Sequence, residues 1–351
     1  MPRVLREETQ FFIEKEKHMK KTIQIILMAA MMLAASAVFA ASKKSIVCTT
    51  YPEYDWVLNI LGKNASSFEV TLLQDKGTDL HSYQPSVQDL AKISTCDVFV
   101  YVGGESDGWV EDALKNVRNK NMVVINMMEV LGDAVREEEI VEGMQTEDEH
   151  EHGHEHHHEG EAHEHHDGDE EETEYDEHVW LSLKNAAAIT QAISDAVQKL
   201  DSKNAGAYKA NTEAYLGQLA ALDSEYEKAV AQSKAKTLVF GDRFPFRYLV
   251  DDYGLKYYAA FAGCSAESEA SFETVVFLAK KLDELGLGSV LTIEKSDKKI
   301  AKTVISATKA KNQQILEMDS LQSVTQKDIK NGKSYLSAMK QNLDTLKAAL
   351  N

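Results

Sequence analysis

The chain has 351 residues, 43% of them apolar, enough for two domains with ordinary buried cores. Its formal charge of −19 is concentrated in one place. Between Glu137 and Glu177 stand twenty acidic residues and no Lys or Arg, and without that arm the rest of the chain sums to +1. A nearly neutral body with no clustered basic residues excludes a nucleic-acid footprint.

Residues 19–40, MKKTIQIILMAAMMLAASAVFA, read as a secretory signal. Lys20 and Lys21 form its charged start, Ile25 to Ala35 its apolar stretch, and Val38-Phe39-Ala40 its cleavage site. The apolar run is short for a membrane span. The charged residues 1–18 are unlike a signal start, which points to translation from Met19. Cys48 follows Ser45-Ile46-Val47, not the small residues that precede a lipidated cysteine, so the expectation is a soluble periplasmic protein. Export permits a disulfide. Cys48 with Cys96 is the plausible pair, and three buried thiols are the equally simple alternative.

From Ser45 the pattern alternates. SIVCTT reads as a buried strand closed by Tyr51-Pro52, Tyr54–Gly62 as a helix and Phe68–Leu73 as a strand. The loop GTDLHSYQPS, with His81, follows. Ser86–Ser94 has helical spacing that places Val87, Leu90 and Ile93 on one face. A strand at Asp97–Val102, a helix at Trp109–Val117 and a strand at Met122–Asn126 complete a first α/β lobe with a mainly parallel sheet.

Next comes EDEHEHGHEHHHEGEAHEHH. It holds nine of the twelve histidines: His150, His152, His154, His156, His157, His158, His163, His165 and His166. Imidazole and carboxylate are ligands for borderline divalent metals, and this density favours metal association over a merely solvated acidic linker. The tract ends in DEHVWLSL, which carries His178.

Asn185–Leu200 reads as a helix burying Ala188, Ile189, Ala192 and Val197. Asn204–Ser233 reads as a second helix, roughly 45 Å long at about 1.5 Å per residue, a candidate rigid spine. From Thr237 the alternation resumes. Strands are expected at 238–240, Leu255–Ala260, Ser289–Ile293 and Gln314–Met318. Helices are expected at Phe246–Asp252, Ser271–Leu285, Ile300–Thr308 and Ser334–Leu350. The fold class is therefore α/β, with two Rossmann-like lobes, each with a mainly parallel sheet, joined by a long rigid helix. The divisions are an extension and cleaved signal at 1–40, a first lobe at 41–183 carrying the acidic loop (about 137–175), linking helices at 184–233, and a second lobe at 234–351. In such sheets ligands bind beyond the carboxyl ends of the strands.

His81 and His178 both sit in loops that can meet at such a cleft. Taken singly, each is more often a hydrogen-bonded loop or core histidine, and neither has a local zinc signature. Together with their neighbours, however, they resemble a known family. GTDLHSYQPS is similar to the Gly-x-x-x-His-x-aromatic-x-Pro-Ser loop, and DEHVWLSL to the Asp-x-His-Val-Trp-Leu motif, of the metal-binding proteins of zinc/manganese-type ABC importers. TTYP, YVGG with Glu105 and Trp109, and NAAAITQAI leading to AYKANTEAYLGQL extend the resemblance over nearly the whole mature chain.

The resemblance implies an extracytoplasmic protein that captures a divalent metal between its lobes and delivers it to an ABC permease, with no enzymatic step. It implies that His81 and His178 ligate the metal. The His-rich loop looks like the zinc-importing branch, with manganese or iron as alternatives, and a monomer is expected. The family's third ligand, a His or Glu before Tyr-Gly-Leu, corresponds here to Arg243, which stays protonated and cannot ligate. Asp242 could take that role, and Arg243 could orient a cleft carboxylate. For the fourth ligand, Glu294 and Asp297 are candidates, and each could equally be a solvated charge at a helix start. Cys264 is a candidate soft ligand, although the family has an apolar residue there.

Two imidazoles with oxygen ligands suit Zn2+, and an oxygen-rich octahedral site would suit Mn2+. The need for neutral imidazoles implies an affinity that falls as pH drops through about 6.5. The rival functions are an exported zinc hydrolase, using Glu105 or Glu177 as base, and a metal-buffering surface protein or adhesin in which the tract is the whole function.

Overall fold

The computed structural model describes residues 43–145, 174–265 and 269–351, with Met19 and Lys21 besides. The signal segment, apart from those two residues, and all nine tract histidines lie outside the described residues. Residues 44–351 form one compact unit.

The first half of that unit runs β1 (Lys44–Cys48), α1 (Tyr51–Leu61), β2 (Phe68–Leu72), α2 (Val87–Thr95), β3 (Val98–Tyr101), α3 (Trp109–Lys115), β4 (Val123–Asn126) and the short α4 (Met127–Leu131). Two helices follow, α5 (Leu183–Leu200) and α6 (Ala205–Gln232). The second half runs β5 (Thr237–Phe244), α7 (Arg247–Tyr253), β6 (Lys256–Ala262), α8 (Phe272–Leu285), β7 (Ser289–Ile293), α9 (Lys299–Ala307), β8 (Gln314–Met318), α10 (Gln326–Lys330) and α11 (Tyr335–Ala349).

Each half builds a four-stranded sheet, in the order β2-β1-β3-β4 and β6-β5-β7-β8. Every pairing is parallel. In both sheets the first strand in sequence lies inside, flanked by the second and third, so the strand order reverses beside β1 and beside β5. A crevice opens at the carboxyl ends at such reversals. The functional loops leave from there: the His81 loop after β2, the Gly103-Gly104 turn after β3, Gly263-Cys264 after β6 and Ser320–Gln322 after β8.

α6 has 28 residues, about 42 Å at 1.5 Å per residue. It touches both halves. The Asn211 amide donates to the Ile60 carbonyl of α1 at 2.9 Å, and the Tyr226 ring stacks on Tyr253 of α7 with centroids 5.0 Å apart. One hydrophobic core runs without a break from Ile46 and Trp56 through Tyr215 and Tyr226 to Phe240, Leu291 and Leu346. Apolar packing of this extent between the sheets opposes independent hinge motion of the halves.

Some expectations are corrected. α1 begins at Tyr51, not Tyr54. The Glu53 carboxylate reaches back to the Thr50 amide at 2.6 Å, and Pro52 sits in the first turn, where no amide partner is needed. In α2 only Ile93 of the expected apolar face is buried. Val87 is 84% and Leu90 38% exposed, because the helix packs only near its end, where it feeds β3. In α5 the buried face is Ala186, Ile189, Ile193, Ala196 and Val197, and Ala188 faces solvent. A methyl group carries too little apolar area to mark a face. Of the two alternatives for Cys48 and Cys96, the structure has the free thiols, both buried, and not the disulfide. The Cys96 thiol instead donates to the Ile93 carbonyl at 3.3 Å, and burial pushes its pKa up to about 12.

Candidate metal centre

His81 sits in a single 3-10 turn, Leu80–Ser82, capped by Asp79, whose carboxylate accepts the His81 amide at 3.1 Å. The ring is oriented from behind. Its Nδ1 lies 2.8 Å from Ser106 Oγ and 3.3 Å from Glu177 Oε2. Glu177 in turn accepts the Ser106 amide at 2.7 Å, so the turn after β3 and the segment leading to His178 hold the His81 ring between them.

His178 is wholly buried. Asp176, two residues earlier, accepts both the His178 amide and its Nδ1, each at 2.8 Å. A carboxylate behind Nδ1 fixes the tautomer that leaves Nε2 with a lone pair and makes the ring a better ligand. Burial alone would discourage a charge on this ring, but the Asp176 carboxylate more than offsets it, so the His178 pKa is raised. The following residues anchor the ring to the other half. Trp180 Nε1 donates to the Ser320 carbonyl at 2.9 Å, and Tyr335 Oη donates to the Trp180 carbonyl at 2.6 Å.

The two Nε2 atoms meet at 3.3 Å, each backed by polar groups at its Nδ1. Two imidazole lone pairs so close repel each other unless a proton or a cation lies between them. Cys264, from the loop after β6, is the third candidate donor. One ligand atom each from His81, His178 and Cys264 lie within 4.8 Å of one another, and this is the only such group among the described residues. Gly263 allows that approach. A Cβ there would stand 2.8 Å from the Phe244 carbonyl oxygen and 3.1 Å from His178 Cε1.

The remaining sequence candidates are placed elsewhere. Arg243 forms an ion pair with Asp79 across the cleft. Burial works to raise the Asp79 pKa, but the guanidinium overrides it and holds the carboxylate below its usual range. Arg243 thus steadies the loop that carries His81. Asp242 accepts the Arg243 amide at 3.0 Å, at a register shift in β5 between Phe240 and Arg243. Glu294 accepts the Ser320 amide at 2.7 Å, the Ser320 hydroxyl at 2.8 Å and the Ser323 amide at 3.3 Å. Asp297 accepts the Lys299 amide at 2.8 Å and pairs with its ammonium at the exposed start of α9. None of these three carboxylates belongs to the three-donor group. For Glu294 and Asp297 the reason is local, since nearby backbone amides take up the carboxylates. Asp242 gives one oxygen to the Arg243 amide and keeps the other buried without a hydrogen-bond partner among the described residues.

Sequence reasoning missed Asp176 and Gln322. Asp176 was visible in principle, since an Asp two residues before a histidine can accept its amide and its ring N–H together. Gln322 was not, because its loop follows β8 and reaches the site only through the fold. With its amide oriented so that each end meets a complementary partner, the Gln322 nitrogen donates to Asp79 at 2.9 Å and its oxygen faces His178 Nε2 at 3.0 Å. A proton on Nε2 suits that oxygen, and a metal would displace the proton.

Above the donors lies a cavity of about 270 Å³, with His81 and Cys264 on its wall and Glu105, Glu138, Glu174 and Glu177 around it. A mouth lined by carboxylates concentrates cations. Burial, followed by the Asp176, Glu138 and Glu177 carboxylates, raises the pKa of the Cys264 thiol.

The model of the ZnuA family, described as zinc-uptake complex component A, periplasmic, matches residues 46–349. The chain belongs to this family. The zinc-binding protein AdcA of Streptococcus pyogenes serotype M6 is 29% identical over 347 residues, covering 94% of this chain and 61% of the relative. The high-affinity zinc uptake system protein ZnuA of Bacillus subtilis is 29% identical over 315 residues, 90% of each chain. The crystal structure of the Zn(II)-bound ZnuA-like domain of Streptococcus pneumoniae AdcA matches with a TM-score of 0.65 and 27% identity, over 88% of this chain and 99% of that one. This member of the ZnuA family therefore spans about 61% of the length of its streptococcal relative. No helix among its described residues is long and apolar enough to cross a membrane.

Proposed function

We propose that this protein captures Zn2+ outside the cytoplasm, in the crevice between its two sheets, and delivers it to the permease of an ABC importer. The observation that carries this reading is the pair of Nε2 atoms 3.3 Å apart. At Zn–N distances of about 2.05 Å, a tetrahedral ion spans its two nitrogen ligands by roughly 3.3 Å, so the pair is already spaced for it. His81 and His178 are the ligands. Asp176 and the Ser106–Glu177 pair orient them, and Arg243 with Asp79 closes the crevice. The relatives named as zinc-binding or zinc-uptake proteins support the choice of metal, and imidazoles favour zinc over manganese. A signal peptide at 19–40 exports the chain, which acts as a monomer and performs no chemistry. Against a hydrolase, Glu177 is already taken up by the Ser106 amide and His81.

Competition with a chromophoric chelator tests the reading. The wild-type protein should hold one zinc ion far more tightly than any others, and the His81→Ala/His178→Ala double variant should lose that ion while keeping the weak sites of the histidine tract. A double variant that retains the tight ion would identify a passive buffer.

A further inference from the structure

We propose that the Cys264 thiolate is the metal ligand supplied by the second sheet, completing with His81 and His178 a nitrogen–nitrogen–sulfur donor set for thiophilic divalent ions. The inference rests on the zinc-capture reading and specifies the site's chemistry. Two imidazoles alone leave zinc short of its usual three or four protein ligands. Among the second sheet's carboxylates, Glu294 is committed to the Ser320–Ser323 loop and Asp297 to the start of α9, and Asp242 lies outside the three-donor group.

Cys264 stands with both histidines within 4.8 Å. Nitrogen-to-sulfur edges of a tetrahedral zinc site are roughly 3.6 Å, given Zn–S of about 2.3 Å. About 1 Å remains to close, within reach of a rotation of the cysteine side chain. The loop is already held in place, since the Cys264 amide donates to Glu138 Oε1 at 3.0 Å. Gly263 supplies the room, because any larger residue would press the loop off the His178 ring.

In the binding step the thiol S–H bond breaks, the sulfur electron pair forms the bond to the ion, and the proton leaves to solvent. No redox partner is required. The fourth position faces the carboxylate-lined cavity, through which the ion enters and leaves. A sulfur ligand makes the site prefer zinc and cadmium, and disfavours manganese, which favours oxygen donors.

Titration of the full chain with Co2+ reads the ligand directly. The tract contains no cysteine, so its nine histidines contribute no sulfur band. The wild-type cobalt protein should show the near-ultraviolet sulfur-to-cobalt charge-transfer band together with intense tetrahedral visible bands. Cys264→Ala should lose the sulfur band, keep its far-ultraviolet circular dichroism, and lose more zinc affinity than the roughly 10–100-fold typical of an outer-shell partner. Absence of the band in the wild type, or its persistence in Cys264→Ala, overturns the thiolate ligand. The wild-type spectrum does not depend on any variant folding. If the band is absent yet the double histidine variant loses its tight zinc, zinc capture stands and the sulfur ligand falls. If the double variant binds like the wild type, zinc capture itself falls.

Discussion

On the zinc-capture reading proposed above, Asp176 acts on the ion without touching it. Its carboxylate accepts the amide and the ring Nδ1 of His178, each at 2.8 Å, in a wholly buried setting. Asp176→Asn keeps the shape but removes the negative charge behind the ring and permits the wrong tautomer. Zinc affinity should drop roughly 10–100-fold, the range for outer-shell partners of ligating histidines, with the fold intact by circular dichroism. Isothermal titration of the variant checks this, and an unchanged affinity would demote Asp176 to a structural cap. At this scale the sequence was readable where a residue's partners are near in the chain. His81 and His178 stand out through their neighbours, and Asp176 could have. Gln322 and the Arg243–Asp79 pair could not, because each joins segments far apart in sequence. A charge such as Glu294 reads the same in sequence whether it binds an ion or a loop amide, and here three donors from the Ser320–Ser323 loop decide.

For the elements, alternation and spacing predicted the order of strands and helices well. β7 and β8 fall on the expected residues, and the long helix differs by one residue at each end. What periodicity misjudged is which face a short helix buries. In α2 the spacing of Val87, Leu90 and Ile93 is that of an apolar stripe, yet a helix of nine residues can rest on its neighbours at one end only. The energetic consequence is asymmetric. Val87→Ser should change stability by no more than about 0.5 kcal/mol, as for other exposed sites. Ile93→Ala, which empties a fully buried position, should cost about 2–5 kcal/mol. Urea unfolding of the two variants separates the cases, and comparable losses would mean that Val87 is covered in solution.

The continuous core makes unfolding of residues 44–351 a property of the whole unit rather than of either sheet. A buried group in one half should therefore be felt by probes in both. Glu53, at the start of α1, is such a group. It is fully buried, accepts the Thr49 hydroxyl at 2.9 Å and the Thr50 amide at 2.6 Å, and burial pushes its pKa up to about 7. The hydrogen bonds from Thr49 and Thr50 pull the other way without overcoming burial. A carboxyl with a raised pKa holds its proton more tightly folded than unfolded. Its contribution is then complete below the ordinary value of 4.5 and is lost as pH rises towards 7, after which it no longer changes. The slope contributed by one such group is at most about 1.4 kcal/mol per pH unit. Glu53→Gln removes that titration. The stability of the wild type relative to Glu53→Gln should therefore decline between pH 4.5 and about 7 and level off above it. Urea unfolding across that range, followed by tryptophan fluorescence and by circular dichroism, measures the difference. The two signals should coincide if the core unfolds as one, and a pH-independent difference would show that Glu53 stays charged in the folded protein, its threonine donors outweighing burial.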